Sequence, residues 1–193
     1  MKKIGILALQ GGFSAHEIAV SRAGATPLLI REARLFDRVD ALVIPGGEST
    51  TMLKLMQYDN MFEALEKFAR EKPIFGTCAG AILMAKGVSN PSQESLGAMD
   101  IDVERNAYGR QNDSCIATIE PEDEDFKRGI APALEAVFIR APIIRRTGKD
   151  VKVLARYKGN PVLVEQGMHM AATFHPELSA ADSIHALFLR KVR

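Results

Sequence analysis

The sequence predicts an α/β fold, a three-layer sandwich whose mostly parallel central sheet is extended by antiparallel strands. Three observations carry this. Short apolar runs alternate with segments of helical spacing through the first half, and that alternation implies right-handed crossovers and a parallel sheet covered on both faces. Short strand-like runs separated by Gly- and Pro-bearing connections fill the second half, which is the pattern of antiparallel ribbons. Glycine-rich turns follow the first-half strands, at the carboxyl ends where such sheets gather function.

The elements follow in order. Residues 3–9 form an apolar strand that stops at Gln10-Gly11-Gly12, and residues 13–23 have helical spacing closed by Gly24 as a C-cap. Residues 26–30 and 41–44 are short strands, the second stopped by Pro45-Gly46-Gly47. Residues 50–57 and 61–70 read as helices and 73–75 as a strand, after which Gly76-Thr77-Cys78-Ala79-Gly80 leads into an Ala-rich apolar helix. Further strands are expected at 99–104, 114–120, 136–140, 151–157, 162–165 and 168–174. Their connections carry Gly109, Pro121, Gly129, Pro132, Gly148 and Gly159-Asn160, and no helix is expected among them. The acidic run Pro121-Glu122-Asp123-Glu124-Asp125 reads as a solvated turn, and a last helix over 180–192 takes Ser179 as its N-cap.

A chain of 193 residues fits one domain spanning 1–193, and 47% hydrophobic residues suffice for a real core. With 25 basic against 24 acidic residues and no basic stripe, nucleic acid is not an expected partner. The apolar run after Met1-Lys2-Lys3 is too short for a signal peptide or a membrane span, so the expected location is cytoplasmic. Cys78 and Cys115 are not expected to pair in a reducing cytosol, and neither has zinc-type spacing. Cys115 lies in an alternating run and reads as core.

Gly76-Thr77-Cys78-Ala79-Gly80 is the sulfur version of a nucleophile elbow, with a strand turning sharply into a helix and the reactive side chain at the apex. The flanking glycines leave space on either side of the nucleophile, and a helix N-terminus favours thiolate. A thiolate nucleophile needs a base and a group that orients the base. Among the four histidines, His16 reads as a mid-helix surface or packing residue, His169 as a strand residue and His185 as part of the last helix. His175 ends an apolar run and precedes Pro176-Glu177. The proline biases His175 toward extended geometry, in which residues two apart project to one side, so Glu177 can hold the imidazole in one tautomer. Pro45-Gly46-Gly47-Glu48-Ser49-Thr50-Thr51 opens a helix with backbone N–H groups suited to an oxyanion or a carboxylate, and lacks the ending of a Walker loop.

Together these motifs resemble the class I glutamine amidotransferase family, with its Cys–His–Glu triad and flavodoxin-like sandwich. The resemblance narrows to the glutaminase subunits of pyridoxal 5′-phosphate synthases on six segments in order. These are Leu7-Ala8-Leu9-Gln10-Gly11, the Pro45 to Thr51 loop, the Cys78 elbow, and Val103-Glu104-Arg105-Asn106 through Gly109-Arg110-Gln111. Phe138-Ile139-Arg140-Ala141-Pro142 and Phe174-His175-Pro176-Glu177-Leu178 complete the set.

The resemblance implies that Cys78, His175 and Glu177 are catalytic, and that glutamine lies against Gly47, Glu48, Ser49, Arg105, Ile139 and Arg140. It implies an oxyanion hole from the amides of Gly46, Gly47 and Ala79, and a partner-responsive segment at Gln10 and Gly11. It further implies L-glutamine as substrate, no metal or organic cofactor, and a hetero-oligomer with a (β/α)8-barrel synthase subunit that takes the ammonia. That barrel joins it to a pentose phosphate and glyceraldehyde 3-phosphate, and the glutaminase stays nearly silent until docked. Other readings are a glutaminase serving another synthase, such as imidazole glycerol phosphate synthase, a DJ-1/PfpI-like cysteine protein, whose members lack the His-Pro-Glu ending, and a non-catalytic scaffold for the synthase.

Overall fold

The computed structural model describes residues 1–107, 114–129, 134–179 and 183–192. The strands are β1 (Lys3–Leu7), β2 (Thr26–Ile30), β3 (Ala41–Ile44), β4 (Ile74–Thr77), β5 (Ala85–Ser89), β6 (Met99–Glu104), β7 (Cys115–Pro121), β8 (Leu134–Phe138), β9 (Ile143–Thr147), β10 (Lys152–Tyr157), β11 (Asn160–Gln166) and β12 (His169–Ala172). The helices are α1 (Phe13–Arg22), α2 (Ser49–Met56), α3 (Met61–Glu71), α4 (Ala79–Met84), α5 (Glu124–Gly129) and α6 (Ser183–Lys191), with 3-10 turns at Ala33–Arg38 and Pro176–Leu178. The segment Gly109–Gln111, Pro132 and positions 180–182 of the expected last helix lie outside the described residues, and Ser179 closes the second 3-10 turn.

Nine strands make one sheet in the order β2-β1-β3-β4-β12-β11-β10-β7-β8. The pairs from β2 through β12 are parallel and those from β12 through β8 antiparallel, as the two halves of the sequence predict. β3 and the first residues of β4 are buried throughout, which is what a sheet covered on both faces requires of its central strands. One face packs Met52, Met56, Leu65 and Phe68 from α2 and α3 with Leu83 of α4. The other packs Val20 of α1 with Ile184 and Phe188 of α6. Helix α1 ends as expected: Gly24 has φ +88 and its N–H bonds the Ser21 carbonyl.

Three expectations are corrected. Residues 99–104 do not extend the main sheet. As β6 they pair parallel with β5 and antiparallel with β9 in a separate three-stranded sheet. Local alternation identifies a strand but not its long-range partner, and β5 and β9 carry too little pattern to be read. The second half does contain a helix, α5, and the acidic run before it is not merely solvated: Asp123 Oδ1 accepts the Phe126 N–H at 2.8 Å and caps it. Six residues are too few to display helical periodicity. Cys115 is exposed rather than core, since it starts β7, one strand from the edge, where only Ile119 is buried. Among the described residues no helix is long and apolar enough to cross a membrane.

Candidate active site

β4 delivers Thr77 into the core and the chain then reverses into α4 at Cys78, whose φ of 48° and ψ of −105° lie far from ordinary L-residue geometry. The turn is anchored by the Cys78 N–H to the Ala172 carbonyl at 2.8 Å and by the Ile82 N–H to the Cys78 carbonyl at 3.2 Å. The glycines on either side have the steric reason the sequence suggests. A Cβ at Gly80 would sit 2.1 Å from the Ile44 carbonyl oxygen, and one at Gly76 would sit 2.6 Å from the Gly80 backbone. Glycine lets α4 lie directly on β3, which fixes the height of the thiol above the sheet.

β12 runs parallel beside β4, with Ala172 opposite Thr77. Three residues past Ala172, His175 is held by its N–H on the Val137 carbonyl at 2.8 Å. Its Nδ1 lies 2.7 Å from Glu177 Oε1, and Cys78 is the other group that bears on the ring. The pairing is the expected one but its geometry differs. Pro176–Leu178 is a 3-10 turn, so Glu177 reaches back through a tight turn rather than along a strand. Burial opposes charge on the His175 ring, but the hydrogen bonds to Cys78 and Glu177 outweigh it and raise the imidazolium to about 10. Glu177, with its side chain 1% exposed, is pushed up by burial, but the His175 hydrogen bond and the electrostatics of His16 and His175 together outweigh it and hold the carboxyl below its usual range.

Two glycine loops stack beside this pair. Gly46 passes so close that a Cβ there would meet His175 Cε1 at 2.3 Å and Cys78 Cβ at 3.2 Å. Gly11, at φ +91, lies against it; a Cβ would fall 1.9 Å from the Gly46 carbonyl oxygen. That oxygen accepts the Gly12 N–H at 3.0 Å, and Gln10 Oε1 accepts the Glu48 N–H at 2.9 Å. These loops leave β1 and β3, whose onward connections run to opposite sides of the sheet, so the crevice lies at a topological switch point.

In front of Cys78 opens a small, largely polar cleft. Gly47, Glu48, Ser49, Arg105, Ile139 and Arg140, all six residues expected to hold the substrate, line it together with Cys78. Arg105 is nearly buried, and its Nη2 meets Thr50 Oγ1 at 2.9 Å and Glu48 Oε1 at 3.3 Å, so its ion-pair partner is Glu48 and not the adjacent Glu104. The Glu48 carboxylate also accepts the Thr50 and Thr51 N–H groups as the N-cap of α2. Burial acts to raise its pKa, but the Thr51 hydrogen bonds prevail and lower it. Ser49 donates to Gln93 Oε1 at 2.9 Å.

Sequence reasoning missed several residues here. Ile82, Asn106 and Pro142 also line the cleft. Gly12 clamps the Gly46 loop. His16 and His185 are buried against the triad, with His16 Nε2 3.2 Å from Glu177 Oε2 and 3.0 Å from Thr77 Oγ1, and His16 Nδ1 2.9 Å from His185 Nε2. The one available signal was the i+3 apolar spacing around His16, which turns that residue inward with Ala19 and Val20. His169, by contrast, is structural: its Nδ1 accepts the Ile74 N–H at 3.2 Å.

A mixed sheet flanked by helices, with an elbow cysteine, an adjacent His–Glu pair and a polar cleft at its carboxyl rim, is an α/β sandwich of the glutamine amidotransferase class. Residues 6–193 match the model of the SNO glutamine amidotransferase family, and the chain belongs to that family. It is 58% identical, over the whole of both chains, to the pyridoxal 5′-phosphate synthase subunit PdxT of Solibacter usitatus (strain Ellin6076). It is 52% identical to the protein of the same name from Koribacter versatilis (strain Ellin345), over 99% of this chain and 96% of that one. A crystal structure titled glutamine amidotransferase superposes with a TM-score of 0.88 at 41% identity, covering 98% of each chain.

Proposed function

We propose that this chain is the glutaminase subunit of a pyridoxal 5′-phosphate synthase. The observation that carries the reading is Cys78 on the wall of a cleft lined by Arg105 and the Gly47 loop, with the hydrogen-bonded His175–Glu177 pair beside it. Free L-glutamine brings an α-carboxylate and an α-ammonium. The Arg105 guanidinium suits the first, and the Ile139 carbonyl, 4.0 Å from Cys78 Sγ, is an acceptor for the second. Gly47, Glu48, Ser49 and Arg140 complete the binding surface.

Cys78 Sγ attacks the side-chain amide carbon, and the developing oxyanion is met by the amides of Gly46, Gly47 and Ala79. His175, held as imidazolium by Glu177, gives its proton to the amide nitrogen; the C–N bond breaks and ammonia leaves a γ-glutamyl thioester. Water then attacks the thioester, His175 takes its proton, and glutamate departs as Cys78 recovers its thiolate. Relatives named as subunits of that synthase support a synthase partner, and the family resemblance supports a (β/α)8 barrel that takes the ammonia. Gln10 and Gly11 are the partner-responsive segment, because Gln10 Oε1 grips the Glu48 N–H next to the Gly47 oxyanion donor.

The test is glutamine hydrolysis by the wild type, Cys78→Ala and His175→Asn, each with and without the synthase subunit. Wild type is expected to be stimulated by that subunit, and both variants to be inactive. Full turnover by Cys78→Ala would overturn the mechanism, and stimulation by a different synthase in place of this one would overturn the assignment of the partner.

A further inference from the structure

Behind the triad, Glu177 Oε2 is buried without a well-aligned hydrogen bond. The group set against it is His16 Nε2 at 3.2 Å, whose N–H points more nearly along the line to Thr77 Oγ1, 3.0 Å away, with Oε2 to one side. The direction of every proton in this cluster follows from hydrogen-bond bookkeeping. His16 Nδ1 and His185 Nε2 are 2.9 Å apart, so one donates and the other accepts. Among the described residues His185 Nδ1 has no partner. If His16 Nδ1 were the donor, His185 would carry its proton on that partnerless nitrogen, and the bare lone pair of His16 Nε2 would face a carboxylate oxygen. A buried unpaired N–H and a lone-pair clash are both costly. The opposite assignment leaves only an unpaired acceptor at His185 and turns an N–H toward Thr77 and Glu177. The order is therefore His185 Nε2–H to His16 Nδ1, then His16 Nε2–H to Thr77 Oγ1 with Glu177 Oε2 beside it at 3.2 Å, and His175 Nδ1–H on the other carboxylate oxygen.

We propose that His16, fixed in its Nε2–H tautomer by His185, is a positioning residue for the triad, holding the Glu177 carboxylate ionised and unable to rotate away from His175. The proposal deepens the glutaminase reading and rests on it for the role of Glu177. Both histidines are neutral near pH 7, because burial lowers His16 to about 4 and His185 to about 3. The charged or titratable groups bearing on His16 are Glu177 and His175 from the turn after β12 and His185 from α6, and Arg22 bears on His185. A neutral donor suits the task. A cation there would compete with His175 for Glu177, whereas an N–H dipole steadies the carboxylate and leaves the charge to the catalytic imidazolium.

The experiment compares wild type, His16→Leu and His16→Gln, each assayed with the synthase subunit. In His16→Leu, which removes the donor, kcat is expected to fall about tenfold to a hundredfold with KM for glutamine within a factor of two, and the acid limb of kcat/KM to move to higher pH. His16→Gln, which returns an N–H near the Nε2 position, is expected to recover most of that loss. An unchanged kcat and pH profile in folded His16→Leu overturns the proposal, as does a failure of His16→Gln to do better than His16→Leu. Should His16→Leu not fold, ¹⁵N imidazole shifts of the wild type decide: Nε2-protonated, neutral His16 at pH 7 supports the proposal, and an Nδ1-protonated or cationic ring overturns it. That spectrum and the alkylation rate of Cys78 need no substrate. Wild type that alkylates normally but hydrolyses no glutamine would therefore refute the functional reading and leave the His16 result standing.

Discussion

Gly46→Ala isolates the contact between the glycine loop and His175. Gly46 is not in the left-handed region, so the added methyl is the whole perturbation. The Cβ would stand 2.3 Å from His175 Cε1 and 3.0 Å from Nδ1. A comfortable carbon–carbon contact is about 3.5 Å, so ring and loop must part by roughly 1.2 Å. Neither is free to move. The ring is tied to Glu177 at 2.7 Å and its backbone N–H to Val137 at 2.8 Å, while the loop is clamped by the Gly12 N–H on the Gly46 carbonyl at 3.0 Å. Overpacking of this kind costs about 1–3 kcal/mol of stability, and a misplacement near 1 Å costs about 10²-fold in rate, or roughly 2.7 kcal/mol of barrier. The assay is glutamine hydrolysis at saturating glutamine and synthase subunit, with thermal unfolding in parallel. Gly159→Ala is the contrast, since its Cβ would meet open space but at φ +77. It should lose about 1–2 kcal/mol of stability and keep its kcat. Gly46→Ala with kcat within threefold of wild type would refute the placement of that loop against His175.

Further outcomes follow from the same geometry. Glu177→Gln should drop the His175 pKa well below about 10, followed by NMR of the ring carbons, and should cut kcat with little change in folding. Because the folded-state pKa of His175 lies above its ordinary value of about 6.5, this group stabilises the wild type most below that value and its contribution is lost as pH rises through about 10; denaturation series should show that loss reduced in Glu177→Gln. The opposite sign holds for His16 and His185. Their folded-state pKa values are depressed, so their contribution is present above about pH 6.5 and drains away as pH falls toward 4, a slope that His16→Gln should lessen in urea titrations. Arg105→Ala should raise KM for glutamine more than it lowers kcat, since the guanidinium holds substrate in ground and transition states alike; an unchanged KM removes Arg105 from the site.

What could be read from the sequence was what local physics encodes. The β1–α1–β2 run, β3 and the β4–Cys78–α4 elbow each carry an apolar period with a glycine stop, and His175-Pro176-Glu177 is a short-range arrangement. The substrate cleft came from resemblance rather than from pattern, because Arg105 and Arg140 look like any surface arginine until the fold carries them to one rim. The hidden layer had no local signature. His16 and His185 stand 169 positions apart and meet only because α1 and α6 pack together on one face. β5 and β9 were likewise invisible, since their pairing with β6 is set by tertiary context, and a six-residue helix such as α5 offers too few positions to show a period.

The distribution of backbone strain ties the fold to the chemistry. Cys78 at φ 48°, Asn106 at φ 50° and Arg140 at φ 45° all line the cleft. Asparagine tolerates such a conformation, and Asn106 is further tied by its Nδ2 to the Asn90 carbonyl at 3.1 Å. Cysteine has no such local help. A strained residue of this kind costs about 1–3 kcal/mol and persists only when its surroundings over-determine it. At Cys78 they do: β4 is flanked by β3 and β12 in the middle of the sheet, Gly80 seats α4 on Ile44, and the Cys78 N–H and carbonyl are both bonded. The same elbow at a sheet edge would relax toward an ordinary turn and swing the thiol away from His175. Cys78 therefore sits at the end of β4 for a mechanical reason: β4 is the last parallel strand that still has a parallel neighbour on each side, and the second of those neighbours, β12, leads to His175.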